Sequence, residues 1–206
     1  SLAPSTIKPT ALALNILVAS IAAWRFARAG HFQWPLFWPF ALLAIPLAFV
    51  GGHLDLPVWL FQKLLGAVLL FSAWHLLAQP GPEKQTRAPP WWAALLCGGL
   101  IGLLAGLTGT GGGIFLTPLL LLVGWARAKE AAAVSALFIL CNSTAGLLGN
   151  WASTQSLPGF IWPLLAVAAV GGWLGSGWGS QRFAPALIKR LLAAVLVVAG
   201  LKLLLT

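Results

Sequence analysis

Gly106-Leu107-Thr108-Gly109-Thr110-Gly111-Gly112-Gly113 interrupts an otherwise continuous apolar run from Trp91 to Val123. Five of these eight residues are glycine, the poorest ordinary helix former. Unwinding at this point frees backbone N–H and C=O groups, and in hydrocarbon each unsatisfied group costs several kcal/mol. Broken helices therefore persist at membrane depth only inside protein or beside a watery cavity, which is where transporters place their solute sites.

Composition sets the class. The 206 residues are 60% hydrophobic and 7% charged, with a mean hydropathy of +0.93, whereas a soluble domain carries about 25% charged residues. Several apolar runs reach the length of about 18 residues needed to cross a bilayer. The chain reads as an all-α, polytopic helical membrane protein with the lipid bilayer as its solvent. Its net charge of +9 comes from 12 Lys and Arg against Asp55, Glu83 and Glu130. The cations are scattered singly at segment ends, with no basic cluster interleaved with aromatics. That pattern marks cytoplasmic loops and argues against nucleic acid as a partner. Tryptophans such as Trp24, Trp34, Trp59, Trp91, Trp92, Trp125, Trp151, Trp162 and Trp178 fall near span ends, as in an aromatic belt. Cys97 and Cys141 lie within apolar segments and read as packing residues. His31, His53 and His75 sit near segment ends without metal spacing, so no cofactor or metal is expected.

Apolar length and breakers divide the chain into segments Thr10–Phe26, Pro35–Gly52, Pro57–Ala78, Trp91–Val123, Lys129–Leu148, Phe160–Gly179 and Pro185–Leu205. The proline-rich stretch Gln79–Pro90 is the one convincing linker. It separates a first repeat, 1–78, from a second, 91–206, which holds the broken helix 91–123. Ala13–Trp24 aligns without gaps on Ala136–Leu147 with six of twelve identities, and Leu64–Leu77 on Leu191–Leu204 with seven of fourteen. Between them, Trp34-Pro35-Leu36 echoes Trp162-Pro163-Leu164. The first half has no counterpart of the glycine-broken segment. No methionine and no signal-peptide pattern is present, and the chain reads as amino-terminally truncated by roughly 30 residues, about one such broken helix.

Charge placement bears on topology. If every segment crosses, five cations lie on one face and seven on the other. If Trp91–Val123 dips in and returns, nine share one face: Arg25, Arg28, Lys84, Arg87, Arg127, Lys129, Arg182, Lys189 and Arg190. Lys8, Lys63 and Lys202 then lie opposite. The positive-inside rule prefers the second arrangement, with a re-entrant segment and repeats inverted about the membrane plane. Loop 25–34 is basic while its counterpart 149–160 carries no charge, as inversion requires.

The run from Gly106 through Thr117-Pro118-Leu119-Leu120, a short Arg/Lys loop, then Ala133-Val134-Ser135 through Gly149, resembles the TauE/SafE sulfite-exporter family. The break and its following proline, Gly109 to Pro118, are the most specific part, and the similarity covers essentially the whole chain except the family's first Gly-rich element. The resemblance implies a multi-pass plasma (inner) membrane permease for small anions, often sulfite or organosulfonates such as sulfoacetate.

The residues themselves point to the same solute class. The half-helix Ile114–Val123 emerges from the glycine run with first-turn N–H groups that lack intrahelical partners and carry partial positive charge. Aimed at a cavity, they form an anion seat. Gly109, Gly111, Gly112 and Gly113 let an oxyanion approach the backbone, and Thr108 and Thr110 offer hydroxyls. The alternative use of such glycines is close helix packing. Ser135, Asn142 and Ser143 form one polar stripe, with Asn142 the best donor; an interhelical hydrogen bond is the competing role. Asn15 and Ser20 occupy the related helix of the first half, Ser20 aligning with Ser143. Glu130, beside Lys129, starts a helix where the dipole favours an acid. No acid lies mid-membrane, so no proton relay is evident. A membrane enzyme would need acids and histidines gathered at one depth, and the glycine run is no phosphate loop because no Lys-Ser/Thr follows it. An anion channel remains the alternative to a carrier, and a homo-oligomer is compatible with either.

Overall fold

The computed structural model describes residues 4–54, 59–78, 86–149 and 161–205. Among the described residues are eight helices: α1 (Pro4–Arg28), α2 (Trp34–His53), α3 (Trp59–Ala78), α4 (Trp91–Thr108), α5 (Gly113–Leu122), α6 (Ala128–Gly149), α7 (Ile161–Gln181) and α8 (Pro185–Leu205). The broken segment is thus two helices, divided at the glycine run. Asp55, Glu83, Lys84, most of the linker and almost all of loop 149–160 lie outside the described residues. Five stretches are long and apolar enough to cross a bilayer: Lys8–Arg28, Trp34–His53, Trp91–Thr108, Ala128–Gly149 and Ile161–Gln181. Their outer surface is apolar, with Trp162 and Val167 each 73% exposed. Such surface is stable against acyl chains and not in water. The chain is a multi-pass membrane protein.

Without a hydrophobic force to press helices together in lipid, close packing of small residues has to bring them together. Gly98, Gly102 and Gly106 of α4, one turn apart, lie on the backbone of α2. A Cβ at each would fall on the carbonyl oxygen of Phe40, Ala44 and Ala48 respectively. Because the residue numbers rise together, the two helices run parallel. Gly146 of α6 joins the contact against Gly106 and Ala48. The pair α3 and α8 is antiparallel, Gly66 meeting Gly200 and Leu204. Helix α1 runs beside α7 with Val18 against Gly172, and Trp24 stacks on Trp173 at 6.0 Å between ring centroids. The Arg25 guanidinium lies 3.8 Å from the Trp173 ring centroid, a cation–π contact.

Helix α5 folds back along α4. Gly112 neighbours Ile101 and Ala105, whereas Trp125, beyond the far end of α5, lies 5.9 Å from Phe40 near the start of α2. There the Arg87 N–H donates to the Gly124 carbonyl at 3.0 Å, tying the approach to α4 to the exit from α5. The same end of the bundle gathers the end of α1, the start of α2, the start of α6 and the end of α7. Lys129 Nζ donates to the Ser180 carbonyl at 3.2 Å, and His31 Nε2 lies 3.0 Å from that oxygen. Gln33 Nε2 donates to Glu130 Oε1 at 2.9 Å, while Glu130 Oε2 accepts from the Arg127 N–H at 2.9 Å. Glu130 therefore caps α6 by reaching back three residues, as in a capping box.

The helix contacts predict unequal responses to added side chains. Gly102→Val should lower stability by about 3 kcal/mol, because the new Cβ meets backbone that cannot yield. Gly171, with nothing within 4 Å of its Cβ position, should accept alanine with no loss. Thermal unfolding in detergent micelles reads both, and equal melting temperatures for the two variants would contradict this packing.

Candidate solute site

The site begins where α4 ends. Gly109 adopts φ 74° and ψ 16°, and its N–H donates to the Ala105 carbonyl at 2.9 Å. This left-handed closure is the common helix C-cap. Gly111 and Gly112 follow at φ 72° and 80°, so three of four consecutive residues occupy a region closed to most L side chains. The turn could not be built from another sequence without strain. Gly112 is the N-cap of α5, its carbonyl accepting from both Phe115 and Leu116 N–H at 3.1 Å. Among the described residues, the N–H groups of Gly111, Gly112, Gly113 and Ile114 have no backbone partner. Gly109, Gly111, Gly112 and Gly113 are nevertheless buried. Buried, unpaired amides at a helix N-terminus are an anion-binding arrangement.

Helix α6 faces this turn. A Cβ on Gly111 would lie 2.6 Å from Ser143 Oγ and 3.2 Å from Asn15 Nδ2. Gly113 rests on Ile139, and Gly112 on Phe138 and Ile101. Asn142 stands one turn beyond Phe138 and one turn before Gly146, on the side of α6 that meets α4 and the turn. Asn142 and Ser143 are 0% exposed and Ser135 is 2% exposed. Neither amide atom of Asn142 has a hydrogen-bond partner, and neither do the Ser135 and Ser143 hydroxyls. Orphaned buried groups cost about 1–3 kcal/mol each, so this stripe is placed against stability.

From the other side, Asn15 Nδ2 donates to the Gly109 carbonyl at 3.3 Å. The other expected residues divide. Thr108 Oγ1 donates to the Leu104 carbonyl at 2.6 Å, so its proton is held within α4, and Thr110 Oγ1 lies 2.9 Å from it. Ser20 does not join the group: it is exposed, and its hydroxyl donates to the Ile16 carbonyl at 2.6 Å. Lys8, by sequence a charge at a span end, packs against the turn. Its Cγ would be 3.2 Å from a Cβ at Gly109, and its Nζ donates to the Gly52 carbonyl at 3.1 Å. The carbonyls of Gly51 and Leu54 each lie 3.5 Å from that Nζ. It caps the negative end of α2. The seven-residue spacing of Lys8 and Asn15 on one helical face was the available signal.

A bundle of membrane-crossing helices that shelters a buried, unwound turn is an architecture that membrane transporters use. The chain belongs to the sulfite exporter TauE/SafE family, whose pattern matches residues 1–203. It is 41% identical over 208 residues to the probable membrane transporter protein y4hK of Sinorhizobium fredii, covering 98% of this chain and 83% of that protein. It is 25% identical over 210 residues to the probable membrane transporter protein MJ0441 of Methanocaldococcus jannaschii, covering 95% of this chain and 78% of that one. Family and relatives are named for transport, not for enzymatic chemistry. No solved structure matches the chain.

Replacing the orphaned amide distinguishes a solute-binding role from a structural one. Asn142→Leu removes two unsatisfied buried atoms at similar volume, and stability should rise by about 1–3 kcal/mol while transport falls at least tenfold. Melting temperature and vesicle flux on the same preparation check this. A lower melting temperature would show that Asn142 is a structural hydrogen-bonding residue.

Proposed function

We propose that this transporter carries small anions, sulfite and organosulfonates foremost, on the glycine turn between α4 and α5. One observation supports the reading above others. Gly111, Gly112 and Gly113 are buried and their N–H groups have no backbone partner among the described residues; Gly111 lies against the buried, unpartnered Ser143, with the likewise unpartnered Asn142 next to it in α6. Oxyanion oxygens would accept from all of them, and the N-terminus of α5 adds about half a positive charge. The family's name makes sulfite the first solute to test. Ile101, Phe138 and Ile139 close over the turn, which favours a carrier with an occluded site over an open channel.

The segment α4–turn–α5 is read as a re-entrant hairpin, and the two halves as inverted about the membrane plane. The hydrogen bond from Arg87 N–H to the Gly124 carbonyl supports the first point. Opposed directions of the related helices support the second. Helices α1 and α6 run antiparallel, Leu12 beside Gly146 while Asn15 and Ser143 meet at Gly111. Helices α3 and α8 do likewise, and α2 starts where α7 ends. In this arrangement Arg25, Arg28, Arg87, Arg127, Lys129 and Arg182 share one end, and Lys8 lies at the other.

Two measurements test these readings. Gly112→Val places a branched side chain at φ 80° with its Cβ 3.0 Å from Ile101 and Phe138. Proteoliposomes holding it should lose at least nine-tenths of their radiolabelled sulfite uptake while the protein still inserts, and wild-type flux would overturn the site. With Cys97 and Cys141 replaced by serine, Ala88→Cys and Arg127→Cys should each react with an impermeant maleimide from one and the same side. Labelling from opposite sides would overturn the re-entrant hairpin.

A further inference from the structure

We infer that the site takes its oxyanion as a singly charged species, and sulfite therefore in its protonated form, hydrogensulfite rather than the dianion, so that in this case the solute itself carries a proton across. The inference rests on the anion-carrier reading and concerns which protonation state the site accepts.

Two features of the site select for it. The first is charge. The turn offers peptide dipoles and neutral side chains: Asn15, Ser135, Asn142 and Ser143. A helix N-terminus contributes about half an elementary charge, which balances a monoanion far better than a dianion. The self-energy of an ion leaving water grows as the square of its charge, so a dianion is about four times as costly to bury. The charged and titratable groups on the surrounding elements do not reverse this. Lys8 of α1 packs on Gly109 but directs its Nζ to the α2 carbonyls of Gly51, Gly52 and Leu54. Arg25 and Arg28 lie in the last turn of α1, Arg25 over the Trp173 ring; Lys63 and His75 lie toward the two ends of α3; and His53 lies at the last position of α2 against the Phe49 ring. Cys97 on α4 and Cys141 on α6 are free cysteines. Lys189, Arg190 and Lys202 belong to the two ends of α8. Lys129 and Glu130 start α6, about 18–20 Å along the helix from Asn142 and about 8–9 Å from Ser135 at the α-helical rise; they are of opposite sign, with Lys129 Nζ donating to the Ser180 carbonyl and Glu130 accepting from the Arg127 N–H.

The second feature is hydrogen-bond polarity. Asn142 is 0% exposed with both Nδ2 and Oδ1 unpartnered. Nδ2 needs an acceptor, which any oxyanion supplies. Oδ1 needs a donor, which a fully deprotonated oxyanion cannot supply. A hydrogen-bearing oxyanion that reaches Asn142 would satisfy both, accepting from Nδ2 while its own O–H donates to Oδ1. The arrangement also bears on the missing proton relay: Glu130 is the only carboxylate among the described residues, and it caps α6. If the proton stays covalently bound to the solute, no side chain has to accept or release it.

The transported species determines the sign of a simple signal. Hydrogensulfite released into a vesicle at slightly alkaline pH dissociates to sulfite and a proton, acidifying the lumen. Sulfite dianion released there takes up a proton and makes the lumen more alkaline. Wild-type proteoliposomes with a trapped pH dye should acidify on sulfite addition beyond the leak of protein-free vesicles, and Gly112→Val should abolish that excess. The KM for total sulfite should rise about tenfold per pH unit above the second dissociation of sulfurous acid. Inhibition by methanesulfonate, whose charge is fixed, should stay level over the same range. Saturable uptake with lumenal alkalinisation, or a KM for total sulfite that falls as pH rises, would overturn the protonated-monoanion inference and leave the carrier reading standing. Absence of saturable uptake would overturn both.

Discussion

Hydrocarbon offers no hydrogen bonds, so every peptide group in the membrane must find its partner within the protein. Helices α1, α2, α4, α6 and α7 meet that demand along their lengths. The turn between α4 and α5 departs from it, and the departure is built in: Gly109, Gly111 and Gly112 take left-handed conformations that other residues resist. The rest of the bundle shelters this departure. Gly98, Gly102 and Gly106 let α4 lie against the backbone of α2, and α6 closes the third side. Glycine thus has two separate uses in one segment, close approach along α4 and reversed backbone in the turn.

The same constraint explains the side chains around the turn. Unpartnered Ser135, Asn142 and Ser143 in full burial oppose stability, and such groups are retained in proteins chiefly where function needs them. Asn15 shows the contrast: its Nδ2 is tied to the Gly109 carbonyl and so helps hold the turn in shape. One side of the turn is therefore fastened, while the side facing α6 carries polar groups with no partner in the protein.

Much of this was legible in the sequence, for physical reasons that also set the limits. Glycine clustering located the break because few other residues can make it, and the seven-residue spacing of Ser135 and Asn142 put both on one helical face. Helix rotation was harder to read. In a segment such as α1, nearly every residue is apolar, so periodicity carries little information about which face turns inward. Ser20 aligned with Ser143 yet is exposed, and Lys8, judged a peripheral charge, packs against Gly109. Thr108 lay inside the motif, but its hydroxyl is held by the Leu104 carbonyl, a local bond common for threonine in helices. Sequence specified the backbone of the site better than its side-chain lining.

The most direct test of the central claim watches the turn's own amides. With nitrogen-labelled glycine, solid-state NMR of the protein in lipid resolves Gly111, Gly112 and Gly113 by assignment against single substitutions. Titration with sulfite is expected to move these N–H resonances saturably and together, with the interhelical glycines Gly98 and Gly102 unmoved. Shifts confined to residues outside the turn, or no saturable shift at any of the three, would contradict the account.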